Sequence, residues 1–455
     1  MENSSNLKTE QTSIWQPLKI RNFRLLFIGE GVSLLGDQFY LVALPWLTLQ
    51  ITGSPLSLGG VLTAVAVPRA ILMLIGGALS DRFSPRLIMI VTNVLRAGLT
   101  AILALLVMLQ ATELWHLYLL AISFGIVEGF FSPAAETIVP TLVPEKQLIA
   151  SNVLGQSAMQ LISLIGPALA GVLIAAMGVG IAFAIDAASF VVSTLALLLI
   201  RIKPIAEPSR LPAGSLEQSD TTDASSEPIG CPACAARAST QPSPEEAEPT
   251  FGGKMKTLMA GISEGLNYCW NNRSLRAVLI VLTLLNLLFV GPLQVGINAL
   301  TYDRFSADPT ALGIMISAWG AGGLMGTLTP QWLSRLPRLG ILMLSLASIQ
   351  AVGMMLLSVI PTVAIVSLVI AILGWCSSFF IVVATSWIQT ITPLEILGRV
   401  MSVAMLSSLG IAPLSYALAG VVADASLLLL FGGAGGTMLV LIGLLALKPS
   451  IRAID

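Results

Sequence analysis

The sequence predicts an all-α integral membrane protein: twelve transmembrane helices in two six-helix bundles. Three observations predict it. The 455 residues are 55% hydrophobic and only 10% charged, with mean hydropathy +0.89, whereas a soluble chain carries about 25% charged residues. The apolar residues gather into stretches of about 20, the length needed to cross a bilayer as a helix. One polar, proline-rich segment then splits those stretches six and six.

The stretches lie near 23–49, 57–79, 87–109, 115–139, 148–176 and 180–200, and then near 275–299, 311–333, 339–360, 363–388, 400–422 and 427–447. The first is too long for a signal-peptide core and lacks a small-residue cleavage site, so it reads as a retained helix. Pro45, Pro68, Pro167, Pro292 and Pro413 fall inside spans. Membrane helices tolerate them because neighbouring groups satisfy the freed backbone. With both termini inside, twenty Lys and Arg fall in cytoplasmic segments and only Arg304 in an outer loop, while Arg69 and Arg96 lie within spans. That asymmetry sets the expected orientation and places the chain in a plasma membrane, multi-pass, with cytoplasmic ends at 1–22 and 448–455.

Residues 23–200 and 275–447 form the two expected bundles, joined by a cytoplasmic linker over 201–274. Residues 204–249 hold eight prolines and many Ser, Glu and Asp, too little apolar surface to offset the entropy of ordering. Residues 254–274 read as an amphipathic lead-in on the inner surface. A faint repeat joins the halves. Leu79-Ser80 with Pro85-Arg86 matches Leu333-Ser334 with Pro337-Arg338. Thr141 and Pro144 match Thr390 and Pro393, and Gly166-Pro167 with Gly171 matches Pro413 with Gly420. Each offset is near 250 residues, as a parallel duplication of six helices would give.

The segment Gly77-Ala78-Leu79-Ser80-Asp81-Arg82-Phe83-Ser84-Pro85-Arg86 sits between the second and third spans on the basic side. It resembles the major facilitator signature G-x-x-x-D-R-x-G-x-R-K, with Ser84 for the loop glycine and Leu87 for the last basic residue. Leu35-Gly36-Asp37 with Pro45, Phe131-Ser132-Pro133-Ala134, Pro140 through Glu145, Ser151-Asn152, Asp186 through Phe190 and Gly398-Arg399-Val400 resemble the macrolide-efflux and enterobactin-exporter branch. The resemblance spans nearly the whole chain outside the linker. It implies the major facilitator fold, alternating access, export and proton coupling, and leaves the cargo open. The helix-5 antiporter signature survives as Gly166, Pro167 and Gly171. The helix-4 signature arginine is absent where Gly125-Ile126-Val127-Glu128-Gly129 stands, so any proton coupling must use other groups.

A charge at the centre of a spanning helix costs roughly 2.5–3.5 kcal/mol. Glu30, Asp37, Arg69, Arg96, Glu128 and Asp186 all lie within spans of the first half, so they are expected to face protein, water or one another. Glu30 and Asp37 are two turns apart on one face, and Arg69 falls at similar depth in the next helix. The expected centre is a wet cavity with an Asp37–Arg69 pair or near-pair, Glu30 and Glu128 nearby, and a carboxylate that binds and releases a proton as the cavity opens to each side. The competing reading is a static ion-pair network that locks the first bundle, and it is favoured for Arg96 and Asp186. Those two, with Asn286 and Gln389, are secondary buried polar groups, Asp186 in a hydrogen-bonding role. Gly77, Asp81, Arg82 and Arg86 are expected to form a latch at the inner mouth, with plain basic anchoring favoured for Arg86. Gly166, Pro167 and Gly171 are expected to let helices approach closely.

Cys231-Pro232-Ala233-Cys234 stands alone in the linker. One such pair cannot complete a tetrahedral metal site, so no metal or other cofactor is expected. No paired nucleophile, acid–base or metal-ligand constellation points to an enzyme. The leading expectation is a monomeric secondary transporter that exports amphipathic drugs such as macrolides by proton antiport. Its expected partners are the substrate, protons and the bilayer, with no nucleic acid. A dedicated exporter of a metabolite such as a siderophore is the alternative, and a non-transporting membrane sensor the weaker one.

Overall fold

The computed structural model describes residues 14–80, 84–201, 266–332 and 339–447. Its first half contains α1 (Arg21–Thr52), α2 (Pro55–Ser80), α3 (Pro85–Met108), α4 (Leu114–Leu142), α5 (Leu148–Met177) and α6 (Val179–Leu199). The second contains α7 (Arg273–Arg304), α8 (Pro309–Trp332), α9 (Leu339–Leu357), α10 (Val363–Ile391), α11 (Leu394–Leu409), α12 (Ala412–Ala425) and α13 (Leu427–Ala446). Among the described residues twelve crossings are long and apolar enough to span a bilayer, with α11 and α12 making one of them together.

The eleventh span, expected as one helix over 400–422, is broken at Gly410 and Ile411. Gly410 is a poor helix former, and Pro413 offers no N–H to bond back to the carbonyl of residue 409. Pro45, Pro68, Pro167, Pro292 and Pro330 stay inside continuous helices. Near Pro292 the backbone is satisfied from outside the helix. The Ser415 hydroxyl donates to the Leu287 carbonyl at 2.6 Å and accepts from the Gly291 N–H at 2.7 Å. It thus stands between two groups that would otherwise bond within α7, and ties α7 to α12.

In the first half α1 packs on α5 and α6, α2 on α4, and α3 on α4 and α6. In the second, α8 packs on α10, α9 on α10 and α13, and α7 on α12 and α13. The halves meet where α5 crosses α8 and α2 crosses α12. Both crossings are backbone on backbone. A Cβ on Gly171 would lie 2.5 Å from the Pro309 carbonyl oxygen and 3.0 Å from the Gly313 Cα. A Cβ on Gly420 would lie 3.0 Å from the Gly59 Cα. Gly59 and Gly313 are about 250 residues apart, as are Gly171 and Gly420, so the two crossings are repeats of one contact. Close approach through small residues is how membrane helices gain dispersion contact without a hydrophobic driving force.

Hydrogen bonds between the halves gather toward the end where α1 finishes. Ser54 donates to Asp424 at 2.7 Å, Thr63 to the Pro413 carbonyl at 3.1 Å, and the Ala168 N–H to Ser317 at 2.9 Å. The opposite end, where α1 begins, carries the basic residues. There Arg86 donates to the carbonyls of Leu197 and Leu198 at 2.8 and 2.9 Å. These carbonyls lie in the last turn of α6, where that of Leu197 also accepts from the Ile200 N–H and a cation meets the negative end of the helix dipole. Arg86 therefore fastens α3 to α6 within the first half. Gly77 lies in α2, while Asp81 and Arg82 lie outside the described residues, as does 204–249. The lead-in is described only from residue 266. Residues 266–271 are helical, with Leu266 and Trp270 exposed and Cys269 buried.

With the native cysteines replaced, Ser54→Cys combined with Asp424→Cys is expected to cross-link in high yield with a short bifunctional reagent. A yield no higher than that of either single variant would contradict the closed contact described for this end.

Candidate functional site

The packed middle of the first half holds a buried guanidinium among several carboxylates. Thr92, Asn93, Arg96 and Thr100 form a buried polar stripe along one face of α3. Their spacing of three to four residues is one side of a helix. Arg96 is only 2% exposed. Its Nη2 lies 2.9 Å from Asp37 Oδ1 of α1 and 2.7 Å from Glu128 Oε2 of α4. The first contact is a hydrogen bond; the second is an ion pair whose alignment misses one. The remaining faces are aromatic. The guanidinium carbon sits 4.3 Å from the Phe190 ring centroid, 4.7 Å from Phe131 and 5.1 Å from Phe124. Rings at this range stabilise a cation by about 2 kcal/mol when water is excluded.

Asp37 therefore pairs directly with Arg96, which corrects the direct Asp37–Arg69 pair; Arg69 lines the same cavity as Asp37, as a near neighbour would. Depth could not separate the two arginines, since each lies near the middle of its helix. The face did: Arg96 looks into the packed contact of α3 with α4 and α6, whereas Arg69 is an exposed side chain on the wall of the cavity. Arg96 is central, although the static-lock reading had made it secondary.

Glu30 lies two turns before Asp37 on α1. It accepts from Ser193 at 3.2 Å, and Ser193 accepts from Asn93 at 3.0 Å. This chain links α1, α6 and α3 below the Arg96 cluster. Asp186 of α6 is fully buried, yet neither carboxylate oxygen has a hydrogen-bond partner. That overturns the hydrogen-bonding role expected for it. A Cβ on Gly36 would strike Ser189 and come within 2.9 Å of Asp186 Oδ1. Glycine beside Asp37 is thus what lets α6 bring its carboxylate up to α1.

A cavity of about 270 Å³ opens beside this cluster. Asp37, Arg69, Arg96 and Glu128 reach it together with Gln38, Tyr40, Leu62, Phe124, Gln294 and Tyr416. Side chains of both halves line it, since Gln294 belongs to α7 and Tyr416 to α12. Asp37 and Glu128 are 26% and 17% exposed and line the cavity, with Glu128 Oε2 buried against Arg96. The sequence missed Tyr40, Phe124 and Tyr416 as wall residues, because aromatics in spans carry no periodic signal of their own. It missed the Phe124, Phe131 and Phe190 cage for the same reason.

Other predicted residues stand apart from this cluster. Asn286 donates to the Leu282 carbonyl at 2.9 Å and to Ser408 at 3.5 Å, joining α7 to α11. Gln389 is exposed near the end of α10, which corrects its placement as a buried group. Gly166 packs against Gln38 of α1, while Pro167 and Gly171 face α8.

Twelve crossings in two repeated halves, with a mixed polar and aromatic cavity between them, define a polytopic membrane transporter. Residues 26–413 match the Major Facilitator Superfamily, and the chain belongs to that family. It is 26% identical to the multidrug efflux pump Tap of Mycolicibacterium fortuitum over 449 residues, covering 96% of this chain and 97% of Tap. It is 23% identical to macrolide efflux protein A of Streptococcus pyogenes over 390 residues, covering 84% of this chain and 86% of the relative. The fold matches a crystal structure of the nucleoside transporter NupG (TM-score 0.67, 13% identity, 93% of this chain and 98% of that one). It also matches a bacterial ferroportin homologue in an inward-facing state (TM-score 0.63, 15% identity, 94% and 99%).

Removing one partner of a buried ion pair strands the other. Arg96→Gln is expected to cost about 3–5 kcal/mol, and Arg69→Gln, an exposed change, about 1 kcal/mol or less. Thermal unfolding of the two variants in one detergent compares them directly, and equal losses would contradict the assignment of Arg96 as the buried centre.

Proposed function

We propose that this protein exports small amphipathic molecules, drugs of the macrolide type among them, from the cytoplasm by proton antiport. The observation that carries the reading is the pair of acids at the cavity wall, Asp37 and Glu128, held against one buried arginine. Burial favours the neutral form of a carboxylate in general and a guanidinium favours the charged form. Asp37, placed between those two influences, is suited to exchange a proton with the cavity. The cavity wall combines leucine, tyrosine and phenylalanine with a few charges, a lining suited to molecules with both apolar body and polar groups. Similarity over nearly full length to efflux pumps named for multiple drugs and for macrolides supports the direction and the substrate class.

In this reading both termini are cytoplasmic in the plasma membrane, because the basic residues gather at the end where α1 begins. The contacts joining Gly59 to Gly420, Gly171 to Gly313 and Ser54 to Asp424 then seal the outer end, and the conformation faces inward. Opening to the outside breaks those contacts and closes the basic end, where Asp81 and Arg82 act as the latch. A single chain supplies both walls of the cavity, so the monomer is the working unit.

In inside-out vesicles an imposed pH gradient should drive uptake of erythromycin by the wild-type protein. Asp37→Asn should lower that uptake at least about tenfold, a general acid–base scale of loss, with normal membrane insertion. Uptake by Asp37→Asn that remains at the wild-type rate and still follows the pH gradient would contradict the assignment. A drug-susceptible host expressing the protein should gain resistance to macrolides in a growth panel.

A further inference from the structure

If Asp37 and Glu128 take up protons, Arg96 loses both of its partners. It would then be an unpaired charge at 2% exposure, a state far too costly to be a working intermediate. An antiport cycle through these acids therefore needs another anion within reach of the guanidinium. The structure holds a candidate already in place. Asp186 is fully buried and both of its carboxylate oxygens lack a hydrogen bond. Arg96 in turn has two unused donors, Nε and Nη1.

The two side chains stand on packed helices. α3 packs on α6, and the guanidinium lies over the ring of Phe190, one turn beyond Asp186 on the same helix. Arg96 and Asp186 act on one another electrostatically. Asp186 has no exposure to the cavity, so its carboxylate can serve the arginine without meeting cargo. The charged and titratable groups around it are few. α1 contributes Asp37 and Tyr40, α3 contributes Arg96, α4 contributes Glu128, and Glu30 of α1 acts on Arg96. α5 contains no titratable residue.

We infer that Asp186 is a second seat for the Arg96 guanidinium, taken when the cavity acids Asp37 and Glu128 are protonated. The inference rests on the antiport reading above. While Arg96 sits with Asp37 and Glu128, Asp186 is the neutral acid and carries its own proton. As the guanidinium turns within its cage of rings from α1 and α4 toward α6, that proton passes to one cavity acid and the cavity supplies the proton of the other, so Arg96 keeps its own proton throughout. When one proton leaves to the other side and the second returns to Asp186, the guanidinium turns back. Asp186 is thus a positioning residue. It keeps the arginine paired in both protonation states and lets the cavity acids titrate without breaking the bundle.

The test is whether Asp186 matters more once the cavity acids are neutral. Full-length protein in detergent is compared by thermal unfolding at neutral pH in two backgrounds, wild type and Asp37→Asn with Glu128→Gln. Asp186→Asn is expected to lower Tm little in wild type, and by roughly twofold or more as much in the neutralised background. Asp186→Glu should restore the neutralised background, which a loss of packing alone would not allow. Equal effects of Asp186→Asn in both backgrounds would overturn the inference. If the triple variant does not fold, Glu128→Gln with and without Asp186→Asn gives the same comparison with a smaller effect, and equal shifts there overturn it as well. The vesicle assay separates this inference from the antiport reading. Loss of coupling in Asp37→Asn with equal Asp186→Asn shifts removes only the second seat. Unchanged pH-driven uptake in Asp37→Asn removes the antiport reading itself.

Discussion

A single guanidinium organises the first half of this transporter. Arg96 joins α1 through Asp37 and α4 through Glu128, and it rests on rings from α4 and α6. Four helices are therefore tied at mid-membrane by one side chain. The cost of inserting that charge is large, and it is offset only while an anion faces it. The acids in turn are held near the cavity instead of in lipid because the arginine holds them there. Each charged group is tolerable only in the presence of the others, which makes the cluster sensitive to the gain or loss of a proton.

The second half contributes little charge and a different service. Gln294 and Tyr416 complete the cavity wall, while Gly313 and Gly420 give the flat surfaces on which α5 and α2 cross. The division suits a rocking motion. One bundle carries the chemistry, the other presents a smooth face, and backbone contacts at two repeated crossings can part without leaving a buried charge behind. The hydroxyl of Ser415 inserted at Gly291 and the break before Pro413 give α7 and α12 backbone that is satisfied by a neighbour instead of by its own helix. Such places are where spanning helices bend.

Much of this was legible in the sequence and some was not, for physical reasons. Twelve spans follow from hydropathy because a bilayer demands a fixed apolar length, and the duplication shows in glycines that the two crossings require. The six in-span charges were visible as costly exceptions. Their pairing was not, because depth along a helix follows from counting residues but facing does not follow from counting charges. Asp37 could meet Arg69 or Arg96 at the same level. The polar stripe of Thr92, Asn93, Arg96 and Thr100 was the available signal that Arg96 points inward. A polar residue in an apolar run reads as buried, yet Gln389 lies two residues from the end of α10 and is exposed. The carbonyls that Arg86 caps belong to a helix more than a hundred residues away, a contact its motif does not reveal.

The most direct test of the account is the energetic coupling between Arg96 and Asp37. A double-mutant cycle with Arg96→Gln and Asp37→Asn, followed by unfolding in detergent, isolates it. Mutual dependence predicts that the double variant is no less stable than Arg96→Gln alone, with a coupling of about 3 kcal/mol. Losses that simply add would show that the two charges stand independently, and the arginine-centred account would be wrong.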